Sequence, residues 1–260
     1  MRIMIINPDY GMTREEMDER VSVLRHCAGE DIRLTMDCLH ENHVTIDSAL
    51  DVILAGPEII SMARRAEREG YDAVVLYCFS DPAVDACREA VRIPVIGGGQ
   101  AAYLTALTVS RQFGLLVTDP GRIPEKRLFA GQAGIQPERV ISFRALDLEG
   151  RGIHEDREHT LNCLERTGRR MVDEDGAQAV ILGCLSFLGF AGDLEERLGV
   201  PVIDGAMACV ALAVAVVRQG LHTGKRAYPY PPAGERSWSA GKISVAENEA
   251  AACGGKKADG

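Results

Sequence analysis

Two cysteines of the chain, Cys78 and Cys184, stand in nearly identical surroundings. Residues 69–78 (EGYDAVVLYC) match residues 175–184 (DGAQAVILGC) with an offset of 106 residues. In both runs a glycine precedes an apolar stretch typical of a buried strand, and the cysteine follows that stretch directly. Two thiols at equivalent positions can act as base on one face of a carbon and as acid on the other. Inversion of a carbon centre by proton transfer requires that arrangement.

The alternative interpretation of the two cysteines is structural, because a free cysteine often packs as a small buried hydrophobe. The chain has eight cysteines, and no C-x-x-C pair occurs among them. In a reducing compartment we therefore expect free thiols. Cys87, Cys163 and Cys209 fall on predicted helices, where packing is the expected role. Similar strands alone are common in any two βα units, but they do not require a cysteine at the same place in both.

The elements that must position the two thiols alternate along the chain. Continuous apolar runs separated by helical stretches indicate parallel sheets covered by helices on both faces. The predicted strands span residues 3–6, 32–36, 73–77, 94–96, 113–117, 140–143, 179–182 and 202–203. The predicted helices span residues 13–27, 57–69, 81–90, 101–110, 124–133, 154–174, 193–198 and 206–219. Thr13 with Glu16 predicts a capping box, and Asp81 before Pro82 predicts the start of the third helix.

The repeat extends past the cysteines, since residues 94–98 (PVIGG) match residues 201–205 (PVIDG). The chain is therefore predicted to be an α/β protein with two similar units. Ligand sites in parallel α/β sheets lie at the carboxyl ends of strands. If the units face each other about a pseudo-two-fold axis, the two thiols approach one cleft from opposite sides. The helix after each cysteine is expected to favour a thiolate.

Composition limits the classes of partner. The chain has 260 residues and a net charge of −9, so phosphate backbones and anionic membranes are repelled. No apolar run reaches the length of a membrane span, and the short apolar start is predicted to be a strand rather than a signal peptide. We expect a cytoplasmic protein that binds a small molecule, neither nucleic acid nor membrane, and that forms a homo-oligomer. Residues 244–260 are predicted to be a disordered tail.

Two further patterns suggest cofactors but are weak. Residues 97–99 are three glycines before a predicted helix, but Ala102 stands where a nucleotide-binding G-x-G-x-x-G motif needs its third glycine. Cys38, His40 and His43 lie close together, yet no clear fourth ligand accompanies them. We therefore predict no metal and no cofactor.

Several segments together resemble the aspartate/glutamate/hydantoin racemase superfamily, and the hydantoin racemase branch most of all. They are residues 6–8 (INP), 78–82 (CFSDP), 86–89 (ACRE), 182–184 (LGC) and 200–205 (VPVIDG). The resemblance runs from about residue 2 to residue 230, and the two cysteine segments together are its specific part.

The resemblance implies a cofactor-independent racemase or epimerase with an active site between two Rossmann-like lobes. The first lobe would comprise residues 1–97 with 206–230, and the second residues 98–205. Cys78 and Cys184 would be the acid/base pair. The implied substrate-binding residues are Asn7, Phe79, Ser80, Thr118, Leu185 and Ser186.

The chain departs from the hydantoin racemase pattern around the implied pocket, and these departures concern the substrate more than the chemistry. Ser80 replaces a common glycine, Asp9 stands where a second asparagine is common, and Gln100 replaces a frequent glutamate. Residues 185–187 (LSF) replace a run such as AGM.

A hydantoin- or allantoin-like ring is the first prediction for the substrate. An aspartate or glutamate racemase is the alternative, although its substrate carboxylate would need a cationic clamp and no Arg or Lys lies beside either cysteine in the sequence. Decarboxylation and cis–trans isomerisation are further chemistries of this scaffold, and the two cysteines weigh against single-cysteine decarboxylases. The alternative from another class is a non-catalytic small-molecule binding protein with packed cysteines.

Overall fold

The computed structural model describes residues 1–148 and 152–234. The predicted tail, residues 244–260, lies outside this part of the chain. The strands are β1 (Arg2–Tyr10), β2 (Arg33–Leu39), β3 (Ala73–Leu76), β4 (Val95–Gly97), β5 (Phe113–Val117), β6 (Val140–Ala145), β7 (Val180–Leu182) and β8 (Val202–Asp204). The helices are α1 (Arg14–Ala28), α2 (Ala49–Arg68), α3 (Val84–Ala90), α4 (Gly98–Val109), α5 (Ile123–Gln132), α6 (Arg157–Asp173), α7 (Ala191–Leu198) and α8 (Gly205–Arg218).

The strands form two parallel four-stranded sheets of the same topology. Their orders are β2-β1-β3-β4 and β6-β5-β7-β8. In the first sheet Ile5 pairs with Val75, and in the second Leu115 pairs with Ile181. Strands β4 and β8 begin 107 residues apart, as do helices α4 and α8. The predicted α/β fold class with two similar units is confirmed.

Helices α4 and α8 each pack against the sheet opposite to the one that they follow in the chain. Helix α8 follows a strand of the second sheet but contacts α1, β3 and β4. Helix α4 follows a strand of the first sheet, contacts β7 and β8, and packs along α8. This exchange is why we propose the division into lobes of residues 1–97 with 206–230 and 98–205.

The buried side chains form one central core and two outer cores. The central core includes residues of both sheets together with α1, α4 and α8, such as Ile5, Tyr103, Leu115 and Val210. The outer cores lie between the first sheet and α2–α3 and between the second sheet and α6–α7. Within the described ranges, no helix combines the length and hydropathy that crossing a bilayer requires.

Side-chain caps begin α1, α2, α6 and α8, and the predicted starts of α2, α3, α4 and α6 differ from the observed ones by three residues or more. The capping box of Thr13 and Glu16 is present at α1. Helix α2, however, begins at Ala49 rather than at Pro57, because the Ser48 side chain caps it by accepting from the Asp51 amide. Pro57 lies inside the helix, where the buried apolar face offsets the backbone hydrogen bond that proline lacks. Helix α3 begins at Val84, three residues later than predicted.

Candidate active site

A cavity of about 340 Å³ lies at the carboxyl ends of the strands and is lined by residues of both sheets. The structure brings every predicted site residue to this cavity: Asn7, Cys78, Phe79, Ser80, Thr118, Cys184, Leu185 and Ser186. Asn7 is buried in β1, three residues before that strand ends, and Thr118 is exposed just after β5. Their placement agrees with the prediction, and their roles stay predictions.

The two thiols follow equivalent central strands. Cys78 comes two residues after β3 and Cys184 two residues after β7, and both are half-buried. The Tyr77 hydroxyl donates a buried hydrogen bond of 2.8 Å to the Leu185 carbonyl. This bond joins the residue before one cysteine to the residue after the other, so the two strand ends are fixed to each other directly.

The glycine run at residues 97–99 allows the start of α4 to approach the first cysteine. A Cβ on Gly98 would lie 3.1 Å from the Cys78 carbonyl oxygen and 2.7 Å from the Leu185 side chain. A Cβ on Gly99 would collide with the Phe79 carbonyl oxygen. The run therefore serves close backbone packing at the site.

The start of α4 binds a carboxylate, which is the side chain of Asp81. Its oxygens accept from the Gly99 amide at 2.8 Å and the Gln100 amide at 2.9 Å, so Asp81 caps α4. The prediction that it starts the next helix is wrong: α3 begins at Val84, the Asp81 backbone has a positive φ of 47°, and its side chain binds the start of α4 instead. Burial raises the pKa of Asp81 to about 7, against the lowering effect of the two amides and of Arg88.

Two cations lie in the cavity beside the first cysteine, although none is near it in the sequence. The Lys126 Nζ donates a 2.6 Å hydrogen bond to the Ser80 Oγ. Arg122 lies one turn earlier, and its guanidinium is 3.4 Å from the same oxygen. Glu125 pairs with both, at 3.2 Å from Lys126 and 3.1 Å from Arg122. No Arg or Lys lies beside either cysteine in the sequence, but the fold brings Lys126 and Arg122 to the loop of Cys78 from 46 and 42 residues away.

A signal in the sequence could have found these cations. Arg122 and Lys126 are four residues apart at the start of a predicted helix, and that helix follows the strand ending at Val117. The carboxyl end of a central parallel strand is where ligand sites form. A pair with this spacing on one helix face there is a candidate for the site.

Three carboxylates, those of Asp9, Asp47 and Asp119, also line the cavity. Asp9 accepts from the Ile46 amide at 3.1 Å, and Asp119 accepts from the Gly121 amide at 2.7 Å. Asp47 and Asp119 are exposed, whereas Lys126 is buried. The cavity thus has the buried cation of Lys126 at its inner wall and the exposed carboxylates of Asp47 and Asp119 at its mouth. Asp9 is half-buried, and its charge acts to raise the pKa of the Cys78 thiol.

The expected help from a following helix is weak at both thiols. Helices α3 and α7 begin at Val84 and Ala191, several residues beyond the cysteines, and Cys184 is followed directly by a single 3-10 turn, Leu185–Phe187. Burial raises the pKa of the Cys78 thiol to about 12, while the charge of Lys126 and the Ser80 amide act to lower it. The largest effect that lowers the pKa of Cys78 therefore comes from the Lys126 side chain and not from a helix dipole.

The weak metal pattern is dispersed in the fold. Cys38 is buried in β2, the His40 ring pairs with Asp37 at 2.8 Å, and His43 stacks on Tyr10 with ring centroids 3.8 Å apart. Among the described residues, no group of three His, Cys, Asp or Glu side chains is arranged to hold a metal ion.

Comparison with known proteins gives consistent matches over most of the chain. A family model described as Asp/Glu/Hydantoin racemase matches residues 3–213. A hydantoin racemase of Pseudomonas sp. (strain NS671) is 31% identical over 232 residues, covering 89% of this chain and 92% of that protein. A hydantoin racemase of Rhizobium meliloti is 32% identical over 234 residues, covering 89% and 95%. The solved allantoin racemase from Klebsiella pneumoniae is 29% identical with a TM-score of 0.81, covering 92% and 96%.

Proposed function

The chain belongs to the Asp/Glu/hydantoin racemase family, whose racemases are isomerases, and we propose that it inverts a carbon next to a carbonyl by proton transfer between Cys78 and Cys184. A single observation carries this proposal. The two thiols follow equivalent strands of two equivalent sheets and line one cavity. With this placement, one thiol can act as the base and the other as the acid on a substrate bound between them.

The proposed reaction needs one thiolate and one thiol at a time. The thiolate removes the hydrogen from one face of the carbon, and the electron pair moves to the carbonyl oxygen. The other thiol then protonates the opposite face, and the electron pair returns to form the new C–H bond. The two cysteines exchange protonation states in each turnover, so their titrations are coupled and belong to the pair. No step requires a metal or an organic cofactor.

A five-membered ring such as a 5-substituted hydantoin or allantoin is the proposed substrate. The relatives named above are hydantoin racemases, and the solved relative is an allantoin racemase. A cavity of about 340 Å³ has room for a small ring. Such rings carry both carbonyl acceptors and N–H donors, which suit a cavity with cations inside and carboxylates at its mouth.

One observation favours a second candidate, a racemase of an acidic amino acid. Lys126 and Arg122 in the cavity offer the cationic clamp that a substrate carboxylate needs. The carboxylates at the mouth would then face the substrate ammonium group. The two candidates share the cysteine chemistry and differ in whether the bound substrate carries full charges.

The experiment is a polarimetric assay of single enantiomers of 5-methylhydantoin, allantoin, aspartate and glutamate, before and after dialysis against a chelator. We expect optical rotation to decay for a ring substrate in both samples. The Cys78→Ser/Cys184→Ser protein should be inactive. The matched control is Cys27→Ser, which changes a half-buried thiol in the last turn of α1, outside the cavity lining, and should keep full activity.

Other outcomes decide between the alternatives. Activity only on the amino acids would replace the ring by the second candidate. Activity that is lost on dialysis and restored by a metal would contradict the cofactor-independent mechanism. A wild-type protein inert toward the whole panel, with Cys78 and Cys184 alkylated no faster than the packed thiols, would favour the binding protein.

A further inference from the structure

The inner wall of the cavity carries a positive charge that the two-cysteine mechanism does not use. Lys126 and Arg122 share the single carboxylate of Glu125, which leaves one net positive charge in this group. The nearby Asp81 carboxyl is already occupied by the Gly99 and Gln100 amides. A cation in a largely dehydrated site acts strongly on any negative charge that forms near it.

Lys126 is held in place rather than free to move. Its side chain is 6% exposed, and Nζ donates to the Ser80 hydroxyl, two residues after Cys78. The ammonium also lies 5.5 Å from the centre of the Phe79 ring. An ammonium has three donors; the Ser80 hydroxyl accepts from one, and Glu125 forms an ion pair with the ammonium at 3.2 Å, so donor capacity remains for a substrate oxygen.

The charge order of the cavity sets how a substrate enters. The exposed carboxylates at the mouth, Asp47 and Asp119, repel an oxygen that becomes negative and attract N–H donors. The carbonyl oxygen next to the reacting carbon is therefore directed inward, toward Lys126. Among the described residues, Arg122 and Lys126 are the arginine and lysine that line the cavity, and both come from the second lobe.

We propose that Lys126, held by Ser80, donates a hydrogen bond to the substrate carbonyl oxygen on which negative charge develops, and that it stabilises the enolate common to both directions of the reaction. The assignment rests on the proposed function. When the C–H bond breaks, the proton goes to the thiolate sulfur and the electron pair to this oxygen. When the second thiol delivers its proton, the pair returns to carbon, so Lys126 acts in both half-reactions without changing its own protonation.

A different role for Lys126 would be to assist ionisation of Cys78 alone. The two roles make different predictions. Enolate stabilisation affects proton removal by either cysteine, because both produce the same intermediate. Assistance to one thiolate affects only proton removal by that cysteine.

The test is α-hydrogen exchange in heavy water by the Cys184→Ser and Cys78→Ser proteins, each with and without Lys126→Met. Each single-cysteine protein retains one base, so the two half-reactions are measured separately. We expect Lys126→Met to slow both exchange rates by roughly 10² to 10³-fold, the typical effect of losing one oxyanion donor. Lys126→Arg keeps a donor and should retain part of the rate.

The matched control is Arg127→Met, which removes one positive charge from the next residue of α5. Arg127 is exposed and its guanidinium lies over the Phe143 ring at 4.3 Å, so exchange should be unchanged. If Lys126→Met alone melts early, Glu125→Gln/Lys126→Met removes both members of the ion pair and supplies the measurement.

The outcomes separate this proposal from the one on which it rests. Slowing of the Cys78-dependent exchange alone, or of neither exchange, overturns the role of Lys126 while the racemase proposal stands. Absence of exchange by the wild-type protein and by both single-cysteine proteins refutes the racemase proposal, and the role of Lys126 with it.

Discussion

The strand end that carries Cys78 and the one that carries Cys184 differ in their surroundings. Both cysteines follow the third strand of their sheet and both face the same cavity. Among the described residues, a buried lysine reaches the loop of Cys78, through the Lys126–Ser80 hydrogen bond, and none reaches the loop of Cys184. That lysine comes from α5, which lies in the other half of the repeat. The repeat thus places the two thiols symmetrically, while residues outside the repeated segments make their chemistry unequal.

The helix starts next to the two cysteine loops show the same contrast. Helix α8 is capped by Asp204, the residue just before it, which accepts from the Ala206 amide at 2.8 Å. The equivalent position before α4 is Gly97, and the carboxylate there is supplied by Asp81, a residue distant in sequence. A Cβ on Gly97 would collide with that carboxylate. In both helices a carboxylate accepts from the first backbone amides, but it comes from the N-cap residue at α8 and from a distant loop residue at α4.

The largest effect that tests the comparison is on racemisation itself. Cys184→Ser should reduce it on the order of 10³-fold, because serine ionises far less readily than cysteine. The remaining Cys78 should still exchange the α-hydrogen of one enantiomer in heavy water with retained configuration. Cys78→Ser should do the same for the opposite enantiomer. Proton NMR of each enantiomer measures both rates.

The inequality of the two sites refines this prediction. Lys126 lies near Cys78 and would favour exchange by that thiol if it only assisted its ionisation. If Lys126 instead stabilises the enolate that both half-reactions share, the exchange rates of the Cys78→Ser and Cys184→Ser proteins should differ less. If both variants exchange both enantiomers, or racemise at the wild-type rate, the cysteines are not the acid/base pair.

The next effect is on stability and exploits the two kinds of cap. Asp81→Gly suits the positive φ at that residue but leaves the Gly99 and Gln100 amides without their acceptor. We expect a loss of about 2 kcal/mol in the free energy of unfolding. Gly97→Asp alone should also destabilise, because its side chain would occupy the space of the Asp81 carboxylate.

The double variant Asp81→Gly/Gly97→Asp gives α4 the arrangement that α8 already has. The backbone of Gly97 is extended, with φ −86° and ψ 141°, as an N-cap requires. The double variant should therefore unfold at higher denaturant concentration than either single variant. Additive losses would show that the two caps are not interchangeable.

Much of the fold and the position of the thiols could be predicted from the sequence. Strand β5 occupies the predicted residues 113–117, and β3 and β7 lie within their predicted runs, because a buried central strand is a continuous apolar segment. The repeat located Cys78 and Cys184 at equivalent strand ends. Local caps such as that of Thr13 were also correct, since the two partners lie within four residues.

The parts that could not be predicted depend on contacts between distant residues. Asp81 next to Pro82 has the pattern of a local cap, yet it accepts from amides 18 and 19 residues away. Lys126 meets Ser80 across 46 residues, and the packing of the two α/β units against each other brings them together. The hydrogen bond from Tyr77 to Leu185 spans 108 residues and crosses between the sheets. Patterns of neighbouring residues do not predict contacts between residues that are this far apart in the sequence.

The smallest predicted effect concerns how the free energy of unfolding depends on pH. It compares the buried carboxyl of Asp81 with the partly exposed carboxyl of Asp175. Burial raises the folded pKa of Asp81 to about 7, so its contribution to stability is full below its unfolded pKa of 3.8 and is lost as pH rises through 7. The hydrogen bond from Arg144 lowers the pKa of Asp175 to about 2, so that contribution is present above 3.8 and is lost as pH falls through 2.

Urea unfolding at pH 5, 6, 7 and 8 distinguishes these two carboxyls. The stability difference between wild type and Asp81→Gly should shrink as pH rises from 5 to 7. The difference between wild type and Asp175→Asn should stay constant over the same range, because Asp175 is ionised throughout in both the folded and unfolded states. A constant difference for Asp81→Gly would mean that its carboxyl is ionised at pH 5. The amides of α4 would then outweigh burial, and Asp81 would be an ordinary charged cap like those found at exposed helix starts.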